Sequence, residues 1–304
     1  MENFEKEYWL EVELQHPKGW VLAAESGGIL DGYFRVDSKT AAKLEVKWEK
    51  QASEGKARSK VQPMVVINRF IEDYMKRTGA RSKIKAEVYE RGNANICEHN
   101  AYFARWRGIG DVATLSWVCE DENKVFLVNY YLEPGEKWED VAGWLIPGLV
   151  CHTSEKFWRY RLIGVEFKIP KGYALQTRRL LLGRPVAVFK AGEKTLLIHW
   201  STFAREILAK YKSLVEWAKK EAPKEVGSVM KGLKYDMLKP DEKTGKMVVE
   251  ETGRTFFGGR TTVKTLRIWH DSGSNRIFLT GYSGPRDSMT DLEELEKSIV
   301  FKPD

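Results

Sequence analysis

The sequence predicts an α+β protein of two similar domains, each a central antiparallel sheet flanked by helices. Three observations carry this. HPKGW (His16–Trp20) and IPKGY (Ile169–Tyr173) stand 153 positions apart, each after a short alternating run, VEL or VEF. A series of apolar segments recurs in the same order in both halves. The strand-like segments arrive in hairpins and meanders rather than in β-α-β alternation, which is the order of an antiparallel sheet.

The elements follow in turn. Phe4 aligns with Phe157, and Val12–Leu14 with Val165–Phe167. In each pentapeptide Pro ends strand pairing, Gly permits the turn, and Trp20 or Tyr173 drops back onto the core. Next come the apolar strands GYFRV (Gly32–Val36) and VAVFK (Val186–Lys190), then LEVKW (Leu44–Trp48) and LLIHW (Leu196–Trp200). Val65, Phe70, Ile71, Tyr74 and Met75 share one helical face, which predicts a helix over Val65–Thr78. Ile207, Leu208, Tyr211, Leu214, Val215 and Ala218 predict another over Ala204–Glu221, ended by Pro223. Val112–Val128 and Val263–Leu279 each read as two apolar runs around a polar turn, a hairpin. A short helix and a brief strand close each half, and Asp287, Ser288 or Thr290 can cap the second of these helices.

The 304 residues suit about two domains. The repeat sets them at residues 1–152 and 153–304. The linker TSEK (Thr153–Lys156) is too short for free domain motion, so close packing of the two is expected.

The entry of apolar strand, Pro, Gly and aromatic resembles that of PsbP-like domains, as does the closing Leu292–Phe301 segment. PsbP is the extrinsic photosystem II subunit, and its fold is shared by a Ran-binding nuclear-import factor and by bacterial effector chaperones. The resemblance implies a tandem pair of α/β/α sandwiches and a non-enzymatic binding or assembly role. It carries over no functional residue, because the family has no shared catalytic motif.

Composition narrows the function classes. No stretch approaches the length of a membrane span. The acidic, amphipathic start lacks the basic and apolar regions of a signal peptide, so a cytoplasmic protein is expected. Three cysteines do not make a disulfide framework. Lys and Glu dominate the charge and Gln is scarce, which fits a heat-adapted chain. The net charge of +7 is uneven: the first half carries 21 Lys+Arg against 24 Asp+Glu, the second 29 against 19. Either the halves attract each other, or the second meets an anionic partner.

Candidate sites are sparse. Cys97, His99, Cys119, Cys151 and His152 are metal-ligating types, but their spacing lacks the paired C-x(2–4)-C and H-x(3–5)-H patterns of structural zinc sites. The alignment sets Cys151 opposite Phe301 and Cys119 near Trp269 and His270, which reads as packing. No metal and no cofactor are therefore assigned. GIGDVA (Gly108–Ala113) fits a dinucleotide fingerprint literally but runs into a strand, so it reads as a turn. His199 alternates as a solvent-side strand residue. Glu13 and Glu166 sit on the outward face of the first strand of each half. FWRYR (Phe157–Arg161) and TRRLLLGR (Thr177–Arg184) interleave basic residues with apolar and aromatic ones, which nominates Arg159, Arg161, Arg178 and Arg179 for an anionic partner. Trp138, Trp144 and Trp158 are placed near the domain junction. Lys231–Glu251 reads as a protruding lysine-rich hairpin.

The expected function is a non-enzymatic protein that binds a protein partner at or near an interdomain groove. The alternatives are a nucleic-acid or polyanion binder using the basic second domain, and an enzyme with an interdomain site.

Overall fold

Alternating burial along short strands builds most of this chain. The computed structural model describes residues 4–9, 11–28, 30–51, 61–82, 85–181, 183–254 and 261–302; Leu182 of the TRRLLLGR stretch lies outside them. The chain divides into two units, Met1–Glu155 and Lys156–Asp304.

In the first unit β1 (Phe4–Trp9) and β2 (Val12–Pro17) form a hairpin that is joined by the short β10 (Leu149–Val150). The main sheet contains β3 (Val21–Gly27), β4 (Asp31–Asp37), β5 (Ala42–Lys50), β6 (Glu87–Ile96), β7 (His99–Arg107), β8 (Asp111–Cys119) and β9 (Lys124–Leu132). Its order is β3-β4-β5-β9-β8-β7-β6, antiparallel throughout. Helix α1 (Pro63–Ser82) follows β5, and α2 (Trp138–Gly148) precedes β10. Ile67, Phe70, Ile71 and Tyr74 of α1 pack on Ala104, Trp106 and Val112. Each such aliphatic side chain contributes about 1.5–3 kcal/mol when fully buried. Trp138 of α2 packs instead on Phe103. Phe103 and Ala104 are neighbours on β7 and point to opposite faces, so the two helices cover opposite sides of the sheet.

The second unit uses the same plan. A hairpin of β11 (Phe157–Leu162) and β12 (Val165–Pro170) is joined by β20 (Val300–Phe301). The main sheet contains β13 (Ala174–Leu181), β14 (Arg184–Ala191), β15 (Lys194–Thr202), β16 (Lys239–Pro240), β17 (Met247–Arg254), β18 (Thr261–Asp271) and β19 (Arg276–Pro285). Its order, β13-β14-β15-β19-β18-β17-β16, matches the first sheet strand for strand. Helices α3 (Ala204–Leu208) and α4 (Leu214–Val226) follow β15, and α5 (Thr290–Ser298) precedes β20. The protein is thus α+β, with two seven-stranded antiparallel sheets.

The likeness extends to detail. The register slips between Leu22 and Ala24 and again between Leu175 and Thr177. Gly19 and Gly172 take φ of +85° and +94°, where a side chain would be strained. Trp20 and Tyr173 each donate a backbone N–H to the proline carbonyl three residues back, at 3.4 Å. Lys43 lies over the Trp20 ring and 2.9 Å from Glu136, as Lys194 lies over Tyr173 and 2.9 Å from Asp291.

Several sequence expectations need correction. The predicted helix over Ala204–Glu221 is two helices, because Ser213 caps a new start by accepting the Glu216 N–H at 3.2 Å. Pro223 lies inside α4 rather than ending it. None of Asp287, Ser288 and Thr290 caps α5, whose preceding residue Met289 already has helical angles. The lysine-rich segment does form strands around a turn. Its Lys246 folds back, however, with Nζ 2.6 Å from Glu296 Oε2 and over the Trp269 ring. Among the described residues no helix is long and apolar enough to cross a membrane.

Candidate metal centre in the first unit

Two hairpin turns and the segment after β10 place Cys97, His99, Cys119, Cys151 and His152. Strands β6 and β7 are joined by the two-residue turn Cys97–Glu98, with φ of +49° and +66°. Positive φ at both positions is the type I′ hairpin turn, normally filled by Asn-Gly, so Cys and Glu here hold a strained conformation. The turn puts Cys97 beside the chain leaving β10, where its thiol donates to the Leu149 carbonyl at 3.0 Å and its sulfur accepts the Cys151 N–H at 3.3 Å. His99 opens β7, Cys119 closes β8, and Cys151–His152 follow β10.

One ligand atom from each of His99, Cys119, Cys151 and His152 lies within 4.8 Å of all the others. His99 Nε2 and His152 Nδ1 are 3.4 Å apart. His152 Nδ1 is 3.5 Å from Cys119 Sγ and 3.4 Å from Cys151 Sγ. Zinc bonds of about 2.3 Å to sulfur and about 2.05 Å to nitrogen, at tetrahedral angles, require edges of about 3.3 Å (N–N) and about 3.6 Å (S–N). The three edges that meet at His152 Nδ1 are close to these lengths, and the other three are within 4.8 Å. The two cysteines are buried and the two histidines half-buried.

The surroundings favour the thiolate at Cys119 and Cys97. Cys119 is lowered to about 6, first because the Cys151 thiol donates to it and then because the Glu122 backbone N–H does, with burial opposing. Cys97 is lowered to about 7, again chiefly by Cys151. Cys151 is raised, by its hydrogen bonding to Cys119 and Cys97 and by burial. A metal ion held here would take the place of the thiol proton with a stronger charge. Asp121 Oδ2 stands 3.6 Å from His152 Nε2 and also 3.6 Å from His99 Nε2, so its carboxylate sits beside the quartet and touches both rings. A carboxylate there orients a ligating imidazole.

The second unit has the same corner without the ligands. Val150 pairs with Glu13 and Val300 with Glu166, so Cys151 corresponds to Phe301. Trp117 pairs with Phe126 and Trp269 with Phe278, so Cys119 corresponds to Asp271 rather than to Trp269 or His270. Phe301 there lies against the Arg276 guanidinium, 3.6 Å from ring to cation. One copy of the corner carries metal-ligand chemistry, and the other is closed by an aromatic and a cation.

The other nominated residues are placed within their own units. Trp144 belongs to an aromatic group of the first unit with Phe4, Trp20 and Tyr130, and Trp138 packs on Phe103. Trp158 is buried in the second unit. Arg161 is also buried there, which corrects the picture of a solvated basic strand: the last three residues of β11 are all inside. Arg159 and Arg178 are half-buried. Arg179 is exposed and shares Glu225 with Arg184, each at 3.1 Å.

His199 is wholly buried, not solvent-facing. Strand β15 is central, between β14 and β19, with both faces covered, so alternate positions no longer mean inside and outside. Its Nδ1 is 2.9 Å from the Pro185 carbonyl and its Nε2 3.3 Å from Ser201 Oγ. Glu13 and Glu166 face Lys6 and Lys302. GIGDVA is the turn into β8, where Gly108 N–H meets the Gly110 carbonyl.

No family model and no curated protein matches this chain. Among solved structures, that of cyanobacterial PsbP (CyanoP) from Synechocystis matches with a TM-score of 0.35 and 12% identity. The match covers 47% of this chain and 87% of that one.

Proposed function

We propose that the first unit binds a zinc-type divalent metal ion through His99 Nε2, Cys119 Sγ, Cys151 Sγ and His152 Nδ1. One observation carries this reading: four ligand atoms from three separate segments lie within 4.8 Å of one another, and the three edges at His152 Nδ1 are of tetrahedral length. A Cys₂His₂ set suits zinc over harder cations. Four protein ligands leave no coordination position for a reacting water, which is the form of a structural site rather than a hydrolytic one. This keeps the broader expectation of a non-enzymatic binding protein. The polyanion alternative lacks comparable support, since Arg161 is buried and Arg179 shares its carboxylate with Arg184.

The test is metal stoichiometry and spectroscopy on the purified chain. Zinc should bind one per chain, and cobalt(II) should show the intense visible bands of a tetrahedral thiolate site. Cys119→Ser/Cys151→Ser should abolish both. Absence of stoichiometric binding, or binding that survives the double substitution, overturns the assignment.

A further inference from the structure

The quartet leaves one thiol over. Cys97 is the only one of the three cysteines that is partly exposed; Cys119 and Cys151 are buried. It is held against Cys151, whose backbone N–H donates to its sulfur at 3.3 Å. The strained turn and the Leu149 carbonyl fix its position. With metal bound, Cys119 and Cys151 are shielded both by burial and by ligation, whereas Cys97 remains open to a small oxidant. Oxidation falls first on the thiol an oxidant can reach.

We propose that Cys97 is an oxidative modification site that controls the metal centre: a peroxide links it to Cys151 and thereby releases the ion. This rests on the metal reading above. The Cys97 sulfur attacks one peroxide oxygen, the O–O bond breaks, and hydroxide leaves, giving a sulfenic acid. The Cys151 sulfur then attacks that sulfur and expels a second hydroxide as the disulfide forms and the metal–sulfur bond breaks. Both hydroxides take up protons. In sum, the Cys97 thiol and the metal-bound Cys151 thiolate are oxidised to a disulfide while one peroxide, with the Cys97 proton and one proton from solvent, is reduced to two waters. The ion keeps only His99, Cys119 and His152.

The experiment uses the full chain loaded with zinc and treated with hydrogen peroxide. Released zinc is read with a chromogenic chelator, and disulfides are mapped by mass spectrometry after alkylation. The wild type should release zinc, show a Cys97–Cys151 link and recover on treatment with a dithiol. Cys97→Ser, compared at equal zinc occupancy, should release it at least about tenfold more slowly, since only shielded thiols remain. Equal release rates, or a link mapped to Cys119–Cys151, would refute the switch while leaving the metal site intact. If the wild type holds no zinc, the metal reading fails by itself. Mapping on the metal-free chain then still decides whether Cys97 and Cys151 are the pair that oxidises.

Discussion

Lowering the pH from 7 to 5 should destabilise the second unit through His199 alone by about 2 kcal/mol. Burial is the main cause that holds this imidazole down to about 4, from an ordinary 6.5, and the Arg179 and Arg184 charges add to it. The hydrogen bond to Pro185 opposes the shift without cancelling it. The difference between 6.5 and about 4, at about 1.4 kcal/mol per pH unit, totals about 3.5 kcal/mol. The sign follows from proton counts. Between pH 6.5 and 4 the unfolded chain binds the proton and the folded one does not. The contribution is therefore complete above about 6.5, declines as pH falls, and is gone below about 4. Slightly more than half of it, about 2 kcal/mol, lies within the window from 7 to 5. The assay is denaturant unfolding of the wild type and His199→Gln at both pH values, with the ring proton followed by NMR. The other four histidines cancel in the comparison. Identical pH slopes in the two proteins, or a ring that titrates near 6.5, would refute the reasoning.

Two further outcomes follow from buried features of the first unit. Lys124 and Glu11 form an ion pair in which both side chains are almost wholly inside, so Lys124→Met alone should cost about 3–5 kcal/mol by stranding the carboxylate. Adding Glu11→Leu should recover most of that in denaturant melts, and a double variant no better than the single one would count against the pair. A Cβ on Gly32 would run into the Trp48 indole, itself buried and stacked on Phe126. Gly32→Ala should therefore lower stability by about 1–3 kcal/mol, and an unchanged unfolding midpoint would show that the ring has room to move.

The hairpins β8–β9 and β18–β19 were legible because apolar runs flank short polar turns. Strands β6 and β7 were not. Strand β6 lies at the sheet edge with most side chains exposed or half-buried, so it shows no apolar run, and its turn is Cys-Glu where Asn-Gly would have announced a hairpin. The break between α3 and α4 hid behind a helical periodicity that continues through Tyr211. Yet Ser213-x-x-Glu216 was a readable capping signature. Glu216 also reaches back to the Lys212 N–H at 2.7 Å. For the metal corner the available signal was distribution: every cysteine of the chain lies between positions 97 and 151, and none lies in the second half.

By itself the sequence determined the class of fold and its recurrence. Those depend on local alternation, turn residues and helical spacing, which are properties of neighbouring positions. The tertiary structure alone decided the chemistry. His99, Cys119 and Cys151–His152 come together only because sheet register aligns the ends of β7 and β8, and because β10 returns to pair with β2 beside them. The same long-range pairing buries His199 and Arg161, whose local pattern reads as surface. A ligand set drawn from three distant segments leaves no spacing motif, because the geometry that defines it lies between strands and not along them.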